Sequence, residues 1–391
     1  MTQKIKIFGV GLISLMIFTS LSNYPLNDIY AQSSNDKNNK NGIKEDRGYI
    51  EKIIQYDKDK NCSKDLDKIP NATEYLTYFN CGHVNIDDNN NKTSRDFALV
   101  VEENNTIPIS NQGHKFKAWT YNGTIPGPTM RMTEGDLVKI TVINAGKNNF
   151  SHSLHMHSIH PGKSDGVEGP GGTIVPGQNF TYTFTASPYG VYPYHCHVNP
   201  IADHINRGLY GMFIIDPKEP REKMQEYAML MNGYDMNYEL EGPITLPAVD
   251  KKDPTKFVSE EKEGGDRKNE IYTVNGKAFE YMDNPIKLNQ GEDYRVYLVN
   301  MLEFDLINSF HLHGNMFDYI ASGTGEEPEY KNDIVTLSQG DRGILEFKPE
   351  FPGNYMFHAH QTEFTDLGWM GFFNVAEPKD HIDDEDTQPR K

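Results

Sequence analysis

Short segments of alternating or β-branched apolar residues recur along the body of the chain. Four of them are VKITVIN (138–144), FTYTFT (180–185), YRVYLVN (294–300) and GILEF (343–347). Successive side chains of a strand point to opposite faces, so these segments predict half-buried β-strands. Gly, Pro and Asn separate the segments and predict turns between them. The pattern therefore predicts an all-β protein.

The same series of motifs occurs twice in the body of the chain. An Asn-Gly pair, a strand segment and a His-x-His pair follow one another at 122–157 and again at 275–313. A later strand segment leads to YHCH (194–197) in the first half and to FHAH (357–360) in the second. The matched motifs lie about 155 residues apart, which indicates a domain duplication rather than a solenoid repeat. Each unit is predicted to be a Greek-key β-barrel or sandwich.

The motifs and the composition around them divide the chain into five segments. The charged stretch Asp250–Asn269 is predicted to be a surface loop within the fourth segment, the second domain. The predicted segments are a signal peptide (1–31), a polar N-terminal extension (32–94), a first domain (95–217), a second domain (218–378) and a polar tail (379–391).

Composition excludes several classes of protein. The 391 residues carry a net charge of −18, which argues against nucleic acid or an anionic membrane surface as a partner. The mean hydropathy of −0.66 excludes a multi-span membrane protein. Three cysteines are too few for a disulfide-dense scaffold or a cysteine-rich zinc module.

The N-terminal part of the chain indicates export from the cytoplasm. A basic start precedes the apolar run Ile7–Leu21, and the small residue Ala31 precedes a polar stretch. This pattern predicts a cleaved signal peptide, with an uncleaved membrane anchor as the alternative. We therefore expect a secreted or extracytoplasmic protein. In that oxidising environment Cys62 and Cys81 can form a disulfide, and the alternative is two unpaired thiols.

Four His-x-His pairs are the strongest chemical signal in the sequence. Residues i and i+2 of a strand share a face, so each pair can direct two imidazoles at one point. Eight imidazoles are too many for one zinc ion, which takes four ligands, and they suit several copper ions. The pairs are His155/His157, His195/His197, His311/His313 and His358/His360.

Cys196 lies between two of these histidines and therefore points to the opposite face of its strand. Together with His152 and His204 it makes a His₂Cys set, which is typical of a blue-copper electron-transfer site. A buried, unreactive thiol is the alternative interpretation. In the first interpretation, a few covalent bonds through Cys196 join the blue-copper site to the histidine pairs.

These motifs together resemble the multicopper oxidase family over about Asp96–Ala376. The segments NGTIPGPTM (122–130), SHSLHMH (151–157), YHCHVNPIADHINRGLYG (194–211) and FHLHG (310–314) follow in the order of that family. The resemblance implies two tandem cupredoxin-like domains. It also implies one type 1 copper and one trinuclear type 2/type 3 copper cluster per chain. The implied type 1 ligands are His152, Cys196 and His204, and the implied cluster ligands are His155, His157, His195, His197, His311, His313, His358 and His360.

The chain departs from the family pattern at two places. Leu209 stands in the axial position where many members have Met, and the loss of a thioether should raise the type 1 potential. In the second domain Ala359 replaces the cysteine, and Asn308 aligns with His152. We therefore expect one type 1 copper per chain, in the first domain.

The sequence predicts roles for an aspartate, three methionines and the remaining histidines. Asp165 resembles the acidic residue that the family places beside its cluster, where a carboxylate can relay protons, and a turn residue is the alternative. Met229, Met231 and Met236 are predicted to pack in the core. The histidines without evident partners, interpreted as surface or structural residues, are His83, His114, His160 and His381.

The sequence favours a laccase-like oxidase that couples one-electron oxidation of a donor to four-electron reduction of O₂ to water. The donor is a small reducing substrate or an electron-donor protein, and its identity stays open. A copper nitrite reductase is the first alternative, but that family has an Asp where His155 stands here. Copper storage or simple electron transfer is the second alternative, and it leaves the complete set of eight histidines unexplained.

The division of the histidines between two domains predicts an oligomer. A two-domain chain has no intervening domain that brings its two sets of four imidazoles together. Heterologous contacts between chains close into rings, and the family resemblance implies three chains. We therefore expect a homotrimer with each cluster at an interface between subunits.

Overall fold

The structure is a computed structural model that describes residues 62–63, 70–87, 92–237, 248–249, 257–258, 268–325 and 327–377. The predicted signal peptide, the predicted tail and most of the predicted loop at 250–269 lie outside these residues. Within the described part of the chain, no helix has both the length and the apolar character that a membrane span requires.

The first half of the chain forms two facing β-sheets. One sheet has the order β1-β2-β5-β7, with β3 also paired to β2, and the other has the order β4-β9-β8-β6. The strands are β1 (His83–Asp87), β2 (Lys92–Pro108), β3 (Lys115–Tyr121), β4 (Met130–Thr133), β5 (Leu137–Asn144), β6 (His155–Met156), β7 (Asn179–Thr185), β8 (Gly190–His195) and β9 (Tyr210–Asp216). The helices are α1 (Ala72–Tyr75), α2 (Gly169–Gly172) and α3 (Ile201–Asn206), with a 3₁₀ turn at Gly162–Ser164.

The second half of the chain repeats this arrangement with additional strands. Its sheets have the orders β13-β10-β15-β20-β17-β18 and β14-β22-β21-β16-β19, and β11 pairs with β12. The strands are β10 (Gln225–Tyr234), β11 (Ala248–Val249), β12 (Phe257–Val258), β13 (Ile271–Val274), β14 (Ile286–Asn289), β15 (Tyr294–Asn300), β16 (Ile307–Leu312), β17 (Phe317–Ala321), β18 (Tyr330–Asn332), β19 (Ile334–Ser338), β20 (Arg342–Phe347), β21 (Gly353–His358) and β22 (Met370–Ala376). The helices are α4 (Glu280–Asp283) and α5 (Thr362–Asp366).

The strand pairings confirm the duplication and the all-β fold. β2 runs parallel to β5 as β10 runs parallel to β15, and β4 runs parallel to β9 as β14 runs parallel to β22. Alternation in β5 buries Val138, Ile140 and Val142 in the core between the first two sheets. Met229 and Met231 are buried in the core of the second half, as predicted.

The segment that precedes the first domain holds the two halves together. The predicted Cys62–Cys81 disulfide is present. The hydroxyl of Tyr75 donates a hydrogen bond to the carbonyl of Gly127 in the first half, 3.0 Å away. The hydroxyl of Tyr281 in the second half donates to the carbonyl of Ala72, 2.6 Å away. The predicted extension thus contributes α1 and β1 to the folded structure, while the domain boundaries given above stay predictions.

Candidate metal centres

Strand register places the histidine pairs at corresponding points of the two halves. β6 pairs with β8 so that His155 lies opposite His195, and β16 pairs with β21 so that His311 lies opposite His358. The His-x-His spacing adds a second imidazole beside each of these four. We call His155, His157, His195 and His197 the first quartet, and His311, His313, His358 and His360 the second quartet.

His152, Cys196 and His204 meet in the core of the first half, and we call them the thiolate pocket. The sulfur of Cys196 lies 3.2 Å from Nδ1 of His204 and 3.9 Å from Nδ1 of His152. All three side chains are buried. The backbone N–H of Ser153 donates to the same sulfur at 3.4 Å. The structure thus assembles the predicted His₂Cys set.

The surroundings of Cys196 favour its thiolate form. Burial raises the pKa of the thiol, but the charge of His204 and hydrogen bonds with His152 and His204 outweigh it. The pKa therefore lies well below its ordinary value. The predicted axial residue, Leu209, is buried in the same core cluster, and its carbonyl accepts a hydrogen bond from the N–H of Cys196. An aliphatic side chain therefore stands beside the thiolate pocket.

Three residues that no sequence motif singles out surround this pocket. A carboxylate oxygen of Glu103 lies 2.9 Å from Nε2 of His152. The indole of Trp119 meets the ring of His152 edge to face at a centroid distance of 5.2 Å and the ring of His204 at 4.8 Å. The guanidinium of Arg207 lies over the indole at 4.7 Å. Their only sequence signal is a buried-strand pattern, which does not reveal a partner far away in the chain.

Within the first quartet, the ligand nitrogens of His155, His157 and His195 lie within 4.8 Å of one another. Nδ1 of His155 donates to the carbonyl of Asp165 at 2.8 Å, and Nδ1 of His195 donates to the carbonyl of Cys196 at 2.9 Å. These bonds leave the Nε2 lone pairs of both neutral rings free for a metal. Nε2 of His157 lies 3.1 Å from Nε2 of His195. The ring of His197 lies 5.2 Å from that of His155.

The second quartet has the same construction. Nδ1 of His311 donates to the carbonyl of Asp333 at 2.9 Å, and Nδ1 of His358 donates to the carbonyl of Ala359 at 2.5 Å. Nε2 of His313 lies 3.0 Å from Nε2 of His358. Each half of the chain therefore presents three imidazoles with ligand nitrogens within 4.8 Å of one another, and those of the second half are His311, His313 and His358.

Several imidazoles of the two quartets have a lowered pKa, which favours the neutral form that binds metals. Burial, followed by the neighbouring imidazoles, lowers the pKa of His157 to about 3. Burial likewise lowers the pKa of His195 to about 4. The pKa values of His313 and His358 are also lowered, again chiefly by burial. No proton needs to leave these four rings before a metal binds at neutral pH.

The predicted acidic residue lies beside the first quartet. A carboxylate oxygen of Asp165 is 3.3 Å from Nδ1 of His155. Asp333 stands in the corresponding place in the second half, 3.8 Å from Nδ1 of His311. No local pattern singles it out, because the two aspartates follow their histidines at different distances along the chain. The equivalent hydrogen bonds from His155 and His311 to the carbonyls of the two aspartates reveal the correspondence.

His160 and His114, interpreted as surface or structural residues, both have hydrogen-bond partners in the structure. Nε2 of His160 donates to the carbonyl of Met156 at 3.0 Å and lies 3.8 Å from a carboxylate oxygen of Asp165. Nδ1 of His114 lies 2.9 Å from the hydroxyl of Ser110. The carbonyl that His160 binds belongs to the residue between two histidines of the first quartet, so its ring fixes the backbone there.

The two quartets stay separate within one chain. Among the described residues, no set of three close metal-binding side chains combines histidines from both halves. His157 instead lies near a turn in the second half of the same chain. A carbon of its ring is 3.9 Å from the position that a Cβ atom on Gly340 would occupy. His313 and His360 are exposed. Each quartet is therefore half of the set of eight that the sequence predicts.

The donor atoms of both kinds of site fit copper. A low-pKa thiolate with two imidazoles is the ligand set of an electron-transfer copper site, and clustered neutral imidazoles suit copper ions. The thiolate pocket and the first quartet are joined through the backbone at Cys196. This arrangement can pass single electrons from a buried mononuclear site to a cluster of metal ions.

Comparisons with known proteins agree with this chemistry. Models of multicopper oxidase domains match residues 103–220 and 248–379. A crystal structure of a multicopper oxidase is 42% identical, with a TM-score of 0.68 over 78% of this chain and 97% of that one. The blue copper oxidase of Nitrosomonas europaea is 28% identical, with a TM-score of 0.60 over 72% of this chain and 86% of that one.

A second group of relatives carries a different activity in its name. The copper-containing nitrite reductase of Neisseria gonorrhoeae is 29% identical over 250 residues, which are 63% of this chain and 60% of that protein. The chain therefore matches about 60% of the length of this relative. The matching family models cover more than half of this chain, which makes the family clear.

Proposed function

The chain belongs to the multicopper oxidase family of copper oxidoreductases and is related to copper nitrite reductases, and on this premise we propose that it couples one-electron oxidation of a donor to reduction of O₂ to water. The observation that carries the proposal is a set of three close imidazoles in each half of the chain, with the thiolate pocket beside the first set. Four electrons reduce one O₂, so a site that collects single electrons needs several metal ions close together. The two quartets, once brought together, would supply eight imidazoles to such a cluster.

The proposed complement is one type 1 copper in the thiolate pocket and one trinuclear cluster for each chain. Copper ions bound there would supply the one-electron oxidation and reduction steps. Cys196 links the pocket to the first quartet, because its sulfur faces His204 while its two sequence neighbours belong to the quartet. The donor would reach the pocket from outside, as a small reductant or an electron-donor protein.

Protons have to reach the reduced oxygen, and the aspartates beside the quartets are placed to hold them. The side chain of Asp165 is about one-third exposed and lies 3.3 Å from the ring of His155. It thus connects solvent with the first quartet. We assign to Asp165 the role of proton relay, and its counterpart Asp333 has the corresponding position beside the second quartet.

The separation of the quartets supports a homotrimer in which each cluster lies between two chains. The first quartet is buried or partly buried, whereas His313 and His360 of the second quartet are exposed. Two half-sites on different chains that complete one another meet the condition for a heterologous ring. Copper that binds only the assembled cluster would stabilise the trimer. The apolar N-terminal run and the Cys62–Cys81 disulfide support an extracytoplasmic location.

Nitrite reduction is the second candidate, and the named relatives favour it. A three-histidine copper site would leave part of the eight-imidazole set without a role, so we rank oxygen reduction first. Copper analysis, O₂ uptake and nitrite reduction measured on one preparation separate the two. We expect four coppers per chain with O₂ consumption. Two coppers per chain with nitrite-dependent nitric oxide release and no O₂ uptake would establish the nitrite reductase instead.

A further inference from the structure

A buried carboxylate touches the thiolate pocket from the side opposite the sulfur. Glu103 is 6% exposed, and one of its oxygens lies 2.9 Å from Nε2 of His152. The backbone N–H groups of Asn149 and Phe150 each donate to the same carboxylate at 2.9 Å. Three donors thus fix the position of this side chain.

We propose that Glu103 sets the reduction potential of the thiolate pocket by holding His152 through its outer nitrogen. This inference rests on the proposed type 1 copper in that pocket. Because Nε2–H donates to the carboxylate, the lone pair of His152 is on Nδ1, the atom that faces the sulfur of Cys196. Glu103 therefore selects the tautomer and orients the ring.

The charge of Glu103 also changes how well His152 donates to a metal. A carboxylate on the outer N–H raises the basicity of an imidazole ligand. A more basic ligand stabilises the oxidised ion, which carries one more positive charge than the reduced ion. The potential is therefore lowered. This effect opposes the raised potential expected from Leu209. No proton moves, because Nε2–H stays on the ring in both the oxidised and the reduced state.

The backbone is shaped to bring this side chain inward. The pairing of β2 with β3 shifts register between Glu102 and Asn105, which marks a β-bulge. Asn104 within the bulge has a positive φ of 61°. Bulges redirect side chains at functional sites. Glu102, the preceding residue, instead pairs with Lys147 toward the surface.

The second half of the chain lacks this carboxylate where it also lacks the pocket. The side-chain carbonyl of Asn122 accepts a hydrogen bond from the N–H of Val100, and that of Asn275 accepts one from the N–H of Leu230. These equivalent bonds align β2 with β10. Gly233 is then the counterpart of Glu103. The carboxylate is therefore present in the half that has the thiolate pocket and absent from the half without it.

The test compares Glu103→Gln with Glu102→Gln in the copper-loaded full chain. Both variants remove one negative charge from adjacent residues, but only the first changes the partner of His152. The readout is the blue absorption band during a redox titration. We expect Glu103→Gln to shift the oxidised-to-reduced ratio about tenfold toward the reduced form, which is ~59 mV for one electron. Glu102→Gln should leave the ratio unchanged.

Equal shifts in both variants, or no shift in Glu103→Gln, would overturn the proposal. A wild-type protein without a blue band would instead overturn the type 1 site itself. If Glu103→Gln does not fold, pulsed electron paramagnetic resonance of the wild type measures the quadrupole couplings of the two outer imidazole nitrogens. One coupling should be reduced by the carboxylate, and two equal couplings would contradict the proposal.

Discussion

The thiolate pocket of the first half has a counterpart in the second half that is filled with aromatic side chains. The N–H of Cys196 bonds the carbonyl of Leu209, and the N–H of Ala359 bonds the carbonyl of Trp369 in the same way. The remaining correspondences follow from equivalent backbone bonds. We call the set Asn308, Ala359, Phe364 and Trp369 the filled pocket. These residues occupy the positions in the second half that are equivalent, in that order, to His152, Cys196, His204 and Leu209.

The comparison shows that one backbone arrangement supports either a metal site or an apolar core. Trp119 meets His204 edge to face at 4.8 Å, whereas its counterpart Tyr272 stacks on Phe364 at 4.1 Å. Protein interiors are close-packed, so other side chains must fill the volume that the missing ligands would occupy. Phe364 and Trp369 supply that volume. The quartets, in contrast, have the same geometry in both halves.

The largest expected effect separates the two pockets outright. Cys196→Ser should abolish the intense thiolate-to-copper absorption band, because serine offers no thiolate. Ala359→Ser in the filled pocket is the matched control and should leave the band intact. Visible absorption of both copper-loaded variants measures this. A persisting band in Cys196→Ser, or a colourless copper-loaded wild type, would refute the assignment.

The second prediction concerns the packing of the filled pocket. Trp369 is fully buried and meets the rings of Phe310 and Phe357 at about right angles. Trp369→Ala should lower the free energy of unfolding by about 3–5 kcal/mol, and Trp369→Phe by less. Urea denaturation measures both. A loss below about 1 kcal/mol for the alanine variant would show that this side chain does not replace the missing site.

The third prediction contrasts two buried carboxyl groups. Burial raises the pKa of Glu303 in the second half to about 7, against the opposing hydrogen bond from Gln339. For Glu103 in the first half, hydrogen bonds from His152 and two amides outweigh burial, and the pKa is lowered. A raised carboxyl pKa stabilises the fold at low pH, and this stability is lost as pH rises through the folded value.

The free energy of unfolding should therefore fall between about pH 4.5 and 7, by at most about 3 kcal/mol. Glu303→Gln should flatten this fall and be more stable than the wild type above pH 7. Denaturation across that pH range measures it, with the exposed Glu350→Gln as control. An unchanged slope in Glu303→Gln would contradict the raised pKa.

The smallest predicted effect concerns the axial position of the thiolate pocket. Leu209→Met should add a weak thioether donor and lower the potential by ~59 mV, a tenfold change in the redox equilibrium. Leu209→Ile keeps an aliphatic side chain and should change little. A redox titration of the blue band compares them. An unchanged or higher potential in the methionine variant would remove Leu209 from the axial role.

Much of the fold follows from local patterns. Alternation along β5 and the repeated histidine pairs predict strands, duplication and shared faces, and the structure confirms the all-β fold. The Cys62–Cys81 pairing was also predicted correctly. These features depend on residues close together in the sequence or on a repeat within it. Both can be recognised in a single sequence.

Other features depend on contacts that no local pattern encodes. Glu103 reaches His152 because a bulge turns it inward, and Asp333 reaches its quartet through strand pairing. No pattern in the sequence reveals the partner of His160, because its bond to Met156 closes within a turn. Polar residues around a site come from several strands, so their roles emerge only with the register.

The central claim is that the quartets of neighbouring chains complete one another, and mixing two inactive variants tests it most directly. One variant carries His155→Ala and His157→Ala, and the other carries His311→Ala and His313→Ala. O₂ uptake is measured before and after the two are assembled together with copper. The account predicts that mixed trimers regain part of the activity, because some interfaces then join two intact quartets. A fully active monomer, or no recovery in proven mixed trimers, would contradict it.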